Sequence, residues 1–97
     1  MNNINEIKRR LRKLKLFLKR QYGVREMGLF GSYVRGDQEK LSDIDIMVEY
    51  HKVPSLLKFL ELENYLTDTL GIKVDLVRKE AIRTELKKTI LTEVVII

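Results

Sequence analysis

Gly31 and Ser32, then ten residues, then Asp43 and Asp45 on an apolar stretch, with a further Asp75 inside the run Val74–Val77, offer phosphate and divalent-metal chemistry. Glycine lets the backbone approach a ligand closely, and the first amides of a helix are unpaired donors that suit anions. Ser32 adds a hydroxyl for a phosphate oxygen, and Arg35 adds a cation. Carboxylates are the hard oxygen ligands that Mg2+ takes one or two at a time, its other positions going to water and phosphate oxygens. The pattern points to a nucleotide with Mg2+. Each part also has a plainer explanation. Gly31 can end a strand with Ser32 capping the helix after it, and Asp43 and Asp45 can be solvated residues on a half-buried strand. The joint spacing separates the chemistry from those alternatives.

The elements that must position these groups follow from periodicity. Val24–Phe30 reads as a strand and Gly31–Gly36 as a turn with a short helix. In residues 43–50, Ile44, Ile46, Val48 and Tyr50 alternate with Asp43 and Asp45, so the two acids share one strand face. Carboxylates so placed repel each other unless solvated, protonated or bridged by a cation. Lys73–Val77 is a further short strand, with Val74 and Leu76 toward the core and Asp75 on the other side. All three acids converge if this strand lies beside the 43–50 strand.

Ile4, Ile7, Leu11, Leu14 and Leu18 mark an amphipathic first helix. A second begins with Pro54 in its first turn and carries Leu56, Leu57, Phe59, Leu60, Leu62, Leu66 and Leu70 toward Gly71. Its wide apolar face predicts a well-buried helix or one that shares an interface. Ala81–Val94 reads as a last helix, with Ile82, Leu86, Ile90 and Leu91 as its apolar side. The tail Val94–Ile97 leaves three options: an added strand, a cover for the core, or a subunit contact. His51, the single histidine, is expected in a surface loop rather than as a general base. The order α-β-α-β-α-β-α describes one small mixed α/β (α+β) domain over residues 1–97, with the metal site at one end of its sheet.

Gly31-Ser32-x10-Asp43-x-Asp45 with the distal Asp75 resembles the motif of the DNA polymerase β-type nucleotidyltransferase superfamily. The wording Gly-Ser-Tyr-Val-Arg-Gly-Asp, followed by Ser-Asp-Ile-Asp-Ile-Met-Val, resembles its smallest members, the minimal nucleotidyltransferases (MNT, or MntA-like antitoxins). The resemblance runs from about Val24 to Arg78. It implies a polymerase β-like mixed sheet flanked by helices. It also implies two Mg2+ ions held by Asp43, Asp45 and Asp75, with Gly31, Ser32 and Arg35 on the triphosphate. ATP is the implied AMP donor, and a tyrosine of a HEPN-domain ribonuclease toxin the implied acceptor and partner.

Ninety-seven residues with 44% hydrophobic content suit one domain with a modest core. Larger superfamily members carry extra domains for tRNA, RNA or an antibiotic. With no room for one, the acceptor is expected to be small or presented by a partner. Cysteine is absent, so disulfides and thiolate metal sites are excluded. No apolar run approaches the roughly 20 residues of a membrane span, and the charged N-terminus lacks a signal-peptide core. A cytoplasmic location is expected. The net charge of +5 is concentrated in Met1–Tyr22, where eight Lys or Arg accompany one acid, Glu6. Such a helix could steer RNA or ATP, or dock an acidic partner; it could equally be the solvated side of a core-packing helix. Phe17 and Tyr22 are the segment's aromatic residues, too few among the charges for a stacking platform. Two other functions fit the chain: an antitoxin that neutralises by binding alone, and a basic RNA-binding domain using Arg9, Arg12 and Lys13. An oligomer is compatible with the sequence.

Overall fold

The computed structural model describes residues 3–97. Helix α1 (Ile4–Tyr22) leads into strand β1 (Val24–Phe30), the short helix α2 (Ser32–Arg35) and strand β2 (Ile44–Tyr50). Helix α3 (Leu56–Leu70), strand β3 (Val74–Arg78), a 3-10 turn (Lys79–Ala81), helix α4 (Thr84–Glu93) and strand β4 (Val95–Ile96) complete the chain. The sheet order is β3-β2-β1-β4, with β2–β3 parallel and the other pairs antiparallel. The expected element order holds as far as α4, and β4 is added to it.

One sheet face carries the core. Met27, Leu29, Ile44, Ile46, Val48, Val74 and Leu76 pack there against Ile7, Leu11 and Leu18 of α1 and Leu62, Leu66 and Leu70 of α3. The stripe on α1 does what its spacing predicts, and Arg9, Arg12, Lys13, Lys15, Lys19 and Arg20 lie on its exposed side. No helix among the described residues is long and apolar enough to cross a membrane.

Several boundaries differ from expectation. Pro54 stands outside α3, whose N-cap is Ser55, its side chain accepting from the Lys58 amide at 3.2 Å. The start of α3 is not buried: Leu56 and Leu57 are 73% and 77% exposed. An apolar face read from sequence cannot tell a core contact from a side chain one turn beyond the sheet. Helix α4 starts at Thr84 rather than Ala81, and of the expected apolar side Ile82, just before the helix, is buried while Leu86 and Leu91 remain exposed. The tail resolves as both an added strand and a core cover. Val95 and Ile96 pair with Leu29 and Gly28, the Ile97 amide donates to Met27 O at 3.0 Å, and the Ile97 side chain is buried.

Edge strand β3 is held by α3. Thr67 Oγ1 accepts from the Val74 amide at 3.0 Å, and Glu63 Oε2 accepts from the Leu76 amide at 2.9 Å. These side chains satisfy outward-facing strand donors that a further strand would otherwise take.

At the other edge, Gly28 lets β4 come close. A Cβ there would stand 2.6 Å from Val94 Cγ2 and 3.1 Å from Val95 O. Gly28→Ala is expected to destabilise the fold by about 1–2 kcal/mol, as overpacking does. Adding Val94→Ala should recover part of that loss in urea unfolding, because the nearer obstacle is a side chain.

Candidate active site

The site is built by strand register. Asp45 of β2 pairs across the parallel ladder with Asp75 of β3, and across the antiparallel ladder with Phe30 of β1. Directly paired residues project to the same sheet face, so Phe30, Asp45 and Asp75 form a row on the face opposite the core. The Ile44 amide donates to Lys73 O at 2.9 Å and fixes the start of this register. Asp43 is half-buried and lies one residue before β2, rather than within it as expected. The sequence therefore brings the acids to one end of the sheet, with Asp43 at the mouth of β2 and Asp45 and Asp75 side by side.

Gly31 follows β1 immediately and touches Asp45. Its φ of 81° and ψ of −155° belong to a region essentially confined to glycine. A Cβ on it would sit 2.1 Å from Asp45 Oδ2. Gly31 is itself the N-cap of α2, and Ser32 is the first helical residue, so Ser32 does not cap this helix. Arg35, at the end of α2, is exposed; its Nε is 3.2 Å from Asp37 Oδ2 and its Nη1 3.2 Å from Glu93 Oε1.

Burial pushes the Asp45 carboxyl up from 3.8 to about 6, and the charges of Asp75 and Asp43 push it the same way. Arg35 opposes the rise and Glu93 adds to it. This is the condition that a divalent cation relieves: crowded oxygen donors whose negative charge is poorly solvated. Among the described residues, no three acidic, histidine or cysteine side chains are gathered into a ready-made metal site. Like charges without a counter-ion favour splayed rotamers, and the backbone register keeps Asp45 and Asp75 adjacent all the same. Asp45 and Asp75 offer oxygen donors of the kind Mg2+ takes, but with Asp43 they do not form the three-carboxylate cluster that the sequence predicts.

Glu93 belongs to the site and was not anticipated. Its Oε1 accepts from the Gly31 amide, which joins the end of α4 to the loop after β1. The one local clue in sequence is an acid at a helix C-terminus, where the helix dipole disfavours it. His51 lies in an exposed bend after β2, as expected.

A row of carboxylates beside a glycine-opened short helix, on a small mixed sheet, suits transfer of a nucleotidyl group. The chain belongs to the nucleotidyltransferase domain family, whose model matches residues 11–97. It is an enzyme of the nucleotidyltransferase class with a polymerase β-like fold. More particularly, it is 50% identical over 95 residues to the protein adenylyltransferase MntA of Thermococcus cleftensis, covering 98% of this chain and 96% of that protein. A solved toxin–antitoxin structure with AMP-PNP matches with a TM-score of 0.72 at 30% identity, covering 87% of this chain and 69% of that one. The structure of a tri-AMPylated HEPN toxin from Shewanella oneidensis in complex with MNT antitoxin matches with a TM-score of 0.65 at 26% identity. That match covers 90% of this chain and 66% of the other.

Proposed function

We propose that this protein transfers AMP from ATP to a tyrosine hydroxyl of a HEPN-domain toxin and so acts as the antitoxin of a toxin–antitoxin pair. The observation that carries this is the Asp45–Asp75 register pair beside Gly31, supported by near-full-length likeness to a protein adenylyltransferase.

Asp43, Asp45 and Asp75 would hold Mg2+, two ions in this reading. Bound there, the metal stabilises charge on the attacking and leaving oxygens of an in-line displacement. Gly31 and Ser32 orient the β- and γ-phosphates, with Arg35 as a further cation. The acceptor oxygen attacks the α-phosphorus, the bond to the β-phosphate oxygen breaks, and pyrophosphate leaves. Asp75 is the exposed member of the three, the carboxylate that a hydroxyl on another protein can reach. It takes the hydroxyl proton as the new P–O bond forms.

The test is incubation with ATP, Mg2+ and a HEPN-domain toxin of the kind present in the solved complexes, followed by intact mass. Mass increments of AMP on the partner, absent without Mg2+, are the expected result. A tight complex with no added mass would overturn transfer and leave neutralisation by binding.

A further inference from the structure

Glu93 sits where a carboxylate has little local reason to be. It ends α4, whose last turn contains no basic residue, so the helix dipole opposes its charge. Asp43, Asp45 and Asp75 add negative potential at the same end of the sheet, and Glu93 is among the charges acting on Asp45. Its side chain is nevertheless only 19% exposed. Two donors compensate. Glu93 Oε1 takes the Gly31 amide, and Arg35 Nη1 lies 3.2 Å from Oε1 and 3.4 Å from Oε2. An amide and a guanidinium converging on one anion is also what a phosphate oxygen requires.

We propose that Glu93 is an internal stand-in for a nucleotide phosphate, occupying the Gly31 amide and Arg35 until a triphosphate displaces it, and thereby setting nucleotide affinity. The inference rests on the function proposed above, which gives those two groups to the triphosphate. A bound phosphate and the Glu93 carboxylate cannot share the same donors, and their like charges repel. Apparent affinity is therefore reduced by the fraction of molecules in which the carboxylate is seated. Glu93 is followed at once by Val94 and β4, so its release also loosens the start of the strand that closes the sheet.

Glu93→Gln keeps the shape and removes the charge, and Glu93→Ala removes the side chain. Calorimetric titration with AMP-PNP and Mg2+ is expected to show about 3- to 10-fold tighter binding for both variants than for the original protein. In the unsubstituted protein, saturation with AMP-PNP should speed amide hydrogen exchange over residues 92–97, a readout that needs no variant to fold. Weaker binding by the variants would overturn the inference, because Glu93 would then be supporting the loop. Unchanged affinity, or exchange that slows on nucleotide binding, would overturn it and leave the proposed function standing. Failure of the unsubstituted protein and both variants to bind AMP-PNP would overturn both.

Discussion

Asp45→Asn is expected to abolish AMP transfer and, in metal-free buffer near neutral pH, to make the protein more stable. The two effects share one cause. Asp45 is a half-buried acid beside Asp43 and Asp75, with its carboxyl raised from 3.8 to about 6. Between about pH 4 and pH 6 the folded chain keeps a proton that the unfolded chain gives up, so stability falls as pH rises through that window and stays lower above it. A shift of this size corresponds to about 3 kcal/mol, which solvent screening of a half-exposed group cuts to about 1 kcal/mol. The amide never ionises. Its advantage should be near zero at about pH 4 and about 1 kcal/mol near pH 7, read from urea midpoints in chelator. Added Mg2+ should stabilise the original protein and leave the variant nearly unmoved. Transfer should drop by at least roughly 10²-fold, the scale on which preorganised charge stabilisation is lost. A variant less stable at pH 7 in chelator would mean that the Asp45 charge is already paired, with Arg35 the nearest cause.

What was legible in the sequence follows the range of the interaction behind each feature. Strand β1 matches its expected limits because Val24–Phe30 lies between a helix with a clear apolar stripe and a glycine turn, both local signals. The placement of Asp75 beside Asp45 followed from alternation in two short strands, and only their adjacency had to be supplied. Strand β4 was one of three options because a two-residue strand has no period to read. It forms because Gly28, far away in the chain, leaves room for Val94 and Val95. The caps on β3 from Glu63 and Thr67 were invisible for a similar reason. On a helix they are ordinary polar residues, and they acquire a partner only once α3 lies along the sheet edge. Leu56 and Leu57 failed in the opposite sense, since apolar character alone does not show whether anything covers a side chain. Glu93 combines these difficulties. It is a charged residue on a helix with little burial, and its partners lie about sixty residues earlier in the chain.

Gly31→Ala should be among the most damaging single-methyl changes in this protein, and its damage should depend on Asp45. The backbone at Gly31 costs roughly 1–3 kcal/mol for a residue with a side chain. The new Cβ also enters the space of Asp45 Oδ2, 2.1 Å away, and that oxygen belongs to a short side chain with few ways to retreat. Either the loop shifts, which misplaces the Gly31 amide and Ser32, or Asp45 rotates out of the row it forms with Asp75. Both responses end transfer. A destabilisation of about 2–4 kcal/mol is expected from strain and overlap together. A double-mutant cycle separates the two contributions: in an Asp45→Ala background the overlap with the carboxylate is gone and only the backbone strain remains. Gly31→Ala should then cost about 1 kcal/mol less than in the original protein, a coupling of the size seen between residues in contact. If the cost is the same in both backgrounds, the glycine serves the turn alone. The close approach of the Gly31 loop to Asp45 would then have no energetic consequence.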